Sequence, residues 1–148
     1  MSLEILVRED MNRALKSGDK EKLNTLRTTL SQIKDERIRL RRELTDQDVI
    51  GVLMKGVKSR KDSIEMYKQG NRQDLVDKET KELTILESYL PKQMSEDEVK
   101  KELIAIIDAV GAHEAKDIGK VMGPAMAKLK GKADGKLVQQ LARSLLNS

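Results

Sequence analysis

The sequence of 148 residues has no cysteine, tryptophan or phenylalanine, and its aromatic residues are Tyr67 and Tyr89 alone. Without cysteine the chain has no disulfide framework, no thiolate nucleophile and no cysteine ligand for a metal. Two isolated tyrosines offer no platform on which single-stranded bases could stack. A hydrophobic core must therefore be aliphatic, and any nucleic acid would be recognised through its backbone and shape.

The sequence also indicates no signal peptide and no membrane span. Its first ten residues, MSLEILVRED, have neither the basic start nor the apolar run of a signal peptide, and no later run is long enough to span a membrane. Together with the missing cysteines, this pattern predicts a cytoplasmic protein with no membrane partner. The length suits one domain or two small ones.

Apolar residues recur at spacings of three and four, which is typical of helices, and no stretch alternates with the period of a strand. In the first part of the chain, Ser2 can cap a helix that ends at Gly18, and Thr45 resembles the start of a capping box. Asn71 is the predicted cap of a fourth helix, which Pro91 closes. The first four predicted helices cover residues 3–17, 19 to about 42, 45–70 and 71–90.

Three further helices are predicted in the remainder. Ser95 begins a capping box, Asp117 and Asp134 lie where helix caps belong, and Gly131 lies where a helix ends in a left-handed residue. Pro124 is expected to kink the sixth helix. We therefore predict an all-α fold, with a four-helix N-terminal domain (1–90), a hinge (91–94) and a three-helix C-terminal tail domain (95–148).

Catalytic chemistry is poorly represented. His113 is the one histidine, it follows a predicted helix end, and no cysteine accompanies it. One histidine with scattered carboxylates makes neither a triad nor a metal site, so an exposed loop histidine is the better interpretation. The glycines and lysine of GKADGK do not have the spacing of a P-loop, because three residues separate Gly131 from Gly135 and Leu137 follows Lys136. We predict no catalytic residue, no metal and no cofactor.

Positive charge is concentrated at the C-terminal end. Residues 115–148 carry seven basic and two acidic side chains, whereas residues 92–114 carry three basic and six acidic ones. Such segregation, beside the free N–H groups of a helix start, is typical of a phosphate-binding surface. The alternative is a tight turn between helices with solvated lysines. The predicted phosphate-binding residues are Lys116, Lys120, Lys128, Lys130, Gly131, Lys132, Gly135 and Lys136.

A second group of basic residues lies earlier in the chain. Arginines crowd the end of the second predicted helix, where they also suit the helix dipole, and acidic residues interleave with them. A solvated helix end is therefore the main interpretation, and a secondary nucleic-acid patch is the alternative. The patch would comprise Arg37, Arg39, Arg41, Arg42, Lys58, Arg60 and Lys61.

Two stretches, RKDSIEMYKQGNRQDLVDKETKELTILESYLPKQMSEDEV and DIGKVMGPAMAKLKGKADGKLVQQL, resemble the GatB/YqeY family, and the length and order of the chain resemble stand-alone YqeY proteins. The resemblance implies an all-helical, two-part fold. It also implies kinship with the tRNA-contacting tail of GatB, a component of the glutamine-dependent aspartyl/glutamyl-tRNA amidotransferase. The family carries a general label of carbon–nitrogen ligase activity with glutamine as amido-nitrogen donor.

The resemblance has a limit, because the catalytic core of GatB has no counterpart in 148 residues. It implies that the tail lysines contact phosphate, that Gly119 and Gly123 permit close backbone approach, and that Asp134 caps the last helix. The main hypothesis is a module that binds tRNA or another structured RNA, accessory to tRNA-dependent amidation. The alternative is a protein-interaction helper that docks on an amidotransferase complex or another partner. A free-standing amidase or ligase is the third and least favoured hypothesis.

Overall fold

The computed structural model describes residues 2–147, and within that range it contains seven α-helices and one 3₁₀ turn but no strand. The all-α prediction is confirmed. The helices are α1 (Leu3–Ser17), α2 (Lys20–Leu40), α3 (Asp46–Gln69), α4 (Gln73–Glu87), α5 (Glu96–Val110), α6 (Ile118–Leu129) and α7 (Gly135–Asn147), with the 3₁₀ turn at Ala115–Asp117.

The chain divides into two compact units, one ending at Leu90 and the other beginning at Pro91. In the first unit α1 packs on α2 and α3, and α4 packs on α2 and α3. The core is aliphatic, as the composition requires, because each helix turns one apolar stripe inward. Its buried centre consists of Ile33, Val49, Val52, Leu53, Val57 and Leu86.

A glycine lets α3 and α4 approach closely. Gly56 is buried at the point where the helices meet, and a Cβ atom placed on it would lie 3.0 Å from Cδ1 of Leu86. Arg60, one turn further along α3, is only 12% exposed; it pairs with Glu82 of α4 and donates to the Gly56 carbonyl. Arg60 is therefore largely shielded from solvent at the contact between α3 and α4.

The second unit consists of α5, α6, α7 and the 3₁₀ turn, packed around a core of its own. α6 continues through Pro124 to Leu129, so the proline does not end the helix. After α6 the chain turns at Gly131, whose φ of 81° lies in the left-handed region that glycine adopts without strain. The buried core residues are Val99, Leu103, Ala112, Val121, Ala125, Leu129, Ala133, Val138, Leu141, Ala142 and Leu146.

Most helix boundaries follow the capping signals. Thr45 and Ser95 form reciprocal capping boxes with the third residue of their helices, and Ser2 accepts a hydrogen bond from the Ile5 N–H. Two boundaries differ from prediction. Asn71 does not cap α4: it has a left-handed φ of 55°, and Arg72 occupies the N-cap position without a side-chain bond. α2 ends at Leu40 because Arg41 also adopts φ 55°.

Candidate nucleic-acid interface

Residues 130–136, which comprise the loop between α6 and α7 and the first two residues of α7, are here called the lysine loop. Gly131 and Ala133 are buried, whereas Lys130, Lys132 and Lys136 are exposed. The loop wraps tightly onto the end of α6, because the N–H groups of Lys132 and Ala133 both donate to the Leu129 carbonyl. Burial of the small residues therefore turns the lysines toward solvent.

The lysine loop leads into the N-terminus of α7. Asp134 occupies the N-cap position, where its carbonyl accepts from the Val138 N–H at 3.0 Å and its carboxylate accepts from the Lys136 N–H at 3.4 Å. The first N–H groups of a helix have no intrahelical acceptor and carry positive dipole charge. Asp134 offsets part of that charge. The loop thus combines three lysines, one aspartate and a helix start.

The tail lysines fall into two classes by their partners. Lys116 pairs with Glu114 at 3.0 Å, Lys120 with Asp117 at 3.7 Å, and Lys128 with Glu102 at 2.5 Å. The lysine-loop residues Lys130, Lys132 and Lys136 have no carboxylate within 4.0 Å among residues 2–147. Exposed ion pairs contribute little, so the paired lysines remain open to competition from phosphate. At the unpaired lysines a phosphate would need to displace only water.

The predicted tail residues form two groups rather than one. Gly119 and Gly123 are exposed on α6, and a Cβ atom at either position would meet nothing within 4 Å. The backbone is therefore open to a partner there, beside Lys116 and Lys120. From the rise of an α-helix, Gly119 and the start of the lysine loop at Lys130 lie about 16 Å apart along the axis of α6.

The Asp117 side chain accepts hydrogen bonds from the two residues before the 3₁₀ turn and does not cap α6. Although it occupies the N-cap position of α6, its carboxylate accepts hydrogen bonds from the N–H groups of His113 (2.9 Å) and Glu114 (3.3 Å). These bonds, led by the one from His113, lower the pKa of Asp117, and Lys120 and Lys116 lower it further. His113 itself is exposed.

The secondary basic patch lies in the first unit, and carboxylates neutralise much of it. Arg37 pairs with Glu4 and Glu43, Arg39 with Glu36, Arg42 with Asp48, and Arg60 with Glu82. The bond from Arg39 lowers the pKa of Glu36, and the bond from Arg42 does the same for Asp48. Arg41, Lys58 and Lys61 have no carboxylate partner among the described residues. The patch is therefore weaker as a cationic surface than its sequence indicates.

Two residues that the sequence placed only in a hinge touch the lysine loop. The side-chain amide of Gln93 donates to the Gly131 carbonyl at 2.7 Å, and the Met94 N–H donates to the Lys132 carbonyl at 2.9 Å. Both bonds lie within the second unit. Periodicity and charge carry no signal for such bonds, because they join segments about 38 residues apart.

Neither a metal-ligand cluster nor a membrane-spanning helix is found along residues 2–147. Residues 2–147 contain no group of three or more histidine, cysteine, aspartate or glutamate side chains placed to hold a metal ion. None of the helices in that range has the length and apolar character needed to cross a membrane.

A protein-family model described as "Yqey-like protein" matches residues 5–146. The chain belongs to the YqeY-like family. The match covers both units, so the resemblance of the two sequence stretches to that family is confirmed, and the helical architecture described above is that of a YqeY-like chain.

Curated relatives of this YqeY-like chain come from fungi. An uncharacterized protein of Schizosaccharomyces pombe is 33% identical over 94 residues, which cover 64% of this chain and 76% of the relative. "Altered inheritance of mitochondria protein 41, mitochondrial" of Pyrenophora tritici-repentis is 31% identical over 127 residues, covering 84% and 69%. The protein of that name in Vanderwaltozyma polyspora is 35% identical over 85 residues, covering 57% and 46%. The mitochondrial name shared by the Pyrenophora tritici-repentis and Vanderwaltozyma polyspora proteins contradicts the prediction of cytoplasmic residence.

Proposed function

We propose that this YqeY-like protein binds structured RNA of the tRNA class through its second unit, as an accessory to tRNA-dependent amidation. The observation that supports the proposal is the lysine loop. Lys130, Lys132 and Lys136 are exposed and have no carboxylate partner among the described residues, and they lie in the loop before α7 and in its first turn. Lysine ammonium groups and free helix N–H groups both favour phosphate.

The kind of RNA follows from the chemistry of the surface. Lysines and backbone amides contact phosphate oxygens, which are common to all nucleic acids and carry no sequence information. The second unit contains no phenylalanine, tyrosine or tryptophan, so it offers no platform of these side chains on which unpaired bases could stack. A folded RNA presents phosphates at fixed spacing, so it suits lysine groups at the two ends of α6 better than a flexible single strand does.

The link to amidation depends on the resemblance to the tail of GatB. That tail contacts tRNA in the larger enzyme, whose catalytic core has no counterpart in this sequence. The ligase label of the family belongs with that core. We therefore assign the present chain a binding role in which it presents or holds tRNA for an amidotransferase.

The test is a titration of the full chain with folded tRNA across a salt series. The variant carries Lys130→Gln, Lys132→Gln and Lys136→Gln, which lowers the net charge of the chain from +4 to +1. If each lysine neutralises one phosphate of a duplex-like RNA, the slope of log K against log salt should fall by about 2.7. At 0.15 M salt the affinity should fall on the order of a hundredfold.

A matched control separates the lysine loop from net charge. Lys16→Gln, Lys34→Gln and Lys68→Gln make the same change of charge at exposed positions of the first unit. This control should keep most of the parental affinity and slope. Equal losses in the two triple variants would refute the assignment to the lysine loop, and no binding by the parent would refute RNA binding itself.

Docking on a protein partner is the second candidate function, and a groove in the first unit favours it. The groove has a volume of about 400 Å³ and runs between α2 and α3. Five of its nine lining residues are charged, which suits a polar protein segment. Binding there should tolerate salt and should be insensitive to the lysine-loop variant. The lining residues are Gln32, Asp35, Glu36, Arg39, Val52, Lys55, Gly56, Ser59 and Arg60.

A further inference from the structure

Gln93 joins the segment before α5 to the lysine loop. Its Nε2 atom donates to the Gly131 carbonyl at 2.7 Å and to the Pro91 carbonyl at 2.9 Å. An amide nitrogen carries two hydrogens, and both are used here. Because both neighbours are acceptors, the nitrogen rather than the oxygen must face them. The residue is half-buried, so the bond to Gly131 is partly shielded from water.

The segment fixes the two peptide groups that flank Lys132. The Gly131 carbonyl is held by Gln93, and the N–H of the same peptide, that of Lys132, donates to Leu129 at 2.9 Å. The Lys132 carbonyl is held by the Met94 N–H, and the N–H of that peptide, that of Ala133, donates to Leu129 at 3.2 Å. A peptide group is planar, so bonds at both edges fix its orientation.

Two fixed peptide planes determine the backbone angles of the residue between them. The direction in which the Cα–Cβ bond of Lys132 leaves the backbone is therefore set by these hydrogen bonds. Gly131 lies next to it, and a glycine without these bonds would sample more conformations than any other residue. Of the four bonds, the one from Gln93 is the one that depends on a side chain.

We propose that Gln93 is a positioning residue for RNA binding: it holds the lysine loop in the conformation that directs Lys132 at a phosphate. The inference deepens the proposed function and rests on it. It assigns Gln93 no contact with RNA. Its role is to remove, before binding, the loop disorder that the RNA would otherwise have to remove.

The test replaces Gln93 with Met, which keeps the length and net charge of the side chain but donates no hydrogen bond. The control is Gln139→Met at an exposed position of α7. Amide hydrogen exchange of Lys132 and Ala133 is followed by NMR, and affinity is measured with the same folded tRNA. Loss of the one hydrogen bond that Gln93 makes to the lysine loop predicts a fall of about fivefold in affinity and a comparable acceleration of exchange at the two amides. The control should change neither.

Each outcome decides the matter. If the parent binds RNA and Gln93→Met binds equally well, the positioning role is refuted while the proposed function stands. If the parent does not bind RNA, both are refuted. Weaker binding with unchanged loop exchange also refutes the role, since the loss would then arise elsewhere. Should Gln93→Met lower the helical circular dichroism, Gln93→Asn takes its place: it keeps the amide but is one methylene too short to reach both carbonyls, and the same outcomes apply.

Discussion

The close approach of α3 and α4 at Gly56 makes a sharp prediction about stability. Replacing Gly56 with Ala adds a Cβ atom 3.0 Å from Cδ1 of the buried Leu86 and 3.5 Å from Nη1 of Arg60. Overpacking of this kind costs about 1–3 kcal/mol. The change also replaces a glycine in a helix interior with alanine, whose higher helix propensity stabilises the fold by about 1 kcal/mol. The net expectation is a loss of about 0–2 kcal/mol in the unfolding free energy of the first unit.

Gly51 provides a matched control in the same helix. A Cβ atom there meets nothing within 4 Å, so Gly51→Ala should gain the helix-propensity term of about 1 kcal/mol with no packing penalty. The propensity term cancels when the two variants are compared. Gly56→Ala should therefore be less stable than Gly51→Ala by about 1–3 kcal/mol, which is the cost of the contact alone.

The assay is urea unfolding followed by tyrosine fluorescence. Tyr67 and Tyr89 are the only aromatic residues of the chain and both lie in the first unit, so the signal reports that unit without interference from the second. If Gly56→Ala were as stable as Gly51→Ala, Leu86 would have space to move and the close helix contact would not be a constraint. The reasoning would then be refuted.

Two further predictions concern pH. Burial, aided by the 2.6 Å bond to Asp10, raises the pKa of Tyr89, so Tyr89→Phe should lower the free energy of unfolding by about 1 kcal/mol at neutral pH. Urea titrations should show this difference in unfolding free energy narrowing as the pH rises past 10, the usual pKa of tyrosine. A difference that stayed constant with pH would contradict this. The second pH prediction concerns Asp117, whose pKa is lowered by the hydrogen bond from the His113 N–H. Asp117→Ala should therefore destabilise the second unit above about pH 3.8 and do so progressively less below that pH. Thermal melts followed by circular dichroism measure this effect. Equal melting temperatures at pH 7 would refute that role.

The helices were predictable from sequence where the signal is local. Ser2, Thr45 and Ser95 bond to residues only three positions away, so the pattern of side chains in one turn is enough to locate a helix start. The failures occur where another conformation competes. Asn71 tolerates the left-handed region and so forms part of the turn instead of the cap, and Arg41 ends α2 in the same conformation without the glycine that would announce it.

The positive charge of the candidate site could be predicted from the sequence, but the contacts that its residues make with other segments could not. Lys130, Lys132 and Lys136 stand out in the sequence because Gly131 and Gly135 lie next to them, and all three are exposed in the lysine loop. The pairing of Lys128 with Glu102 could not be read from the sequence, because the partner lies on another helix. The hydrogen bond from Gln93 to Gly131 could not be predicted for the same reason, because a long-range bond to a carbonyl produces no periodic pattern in the sequence.

The two lysine groups of the second unit differ in what a phosphate must displace. At Lys116 and Lys120 it competes with Glu114 and Asp117, whose exposed ion pairs are each worth less than about 1 kcal/mol. At the lysine loop a phosphate would displace water alone, and the peptide groups on either side of Lys132 are already held by hydrogen bonds. Because both the electrostatic competition and the ordering cost are smaller there, the loop should provide most of the affinity. The lysines beside Gly119 and Gly123 should then add orientation by engaging a second stretch of backbone about 16 Å away.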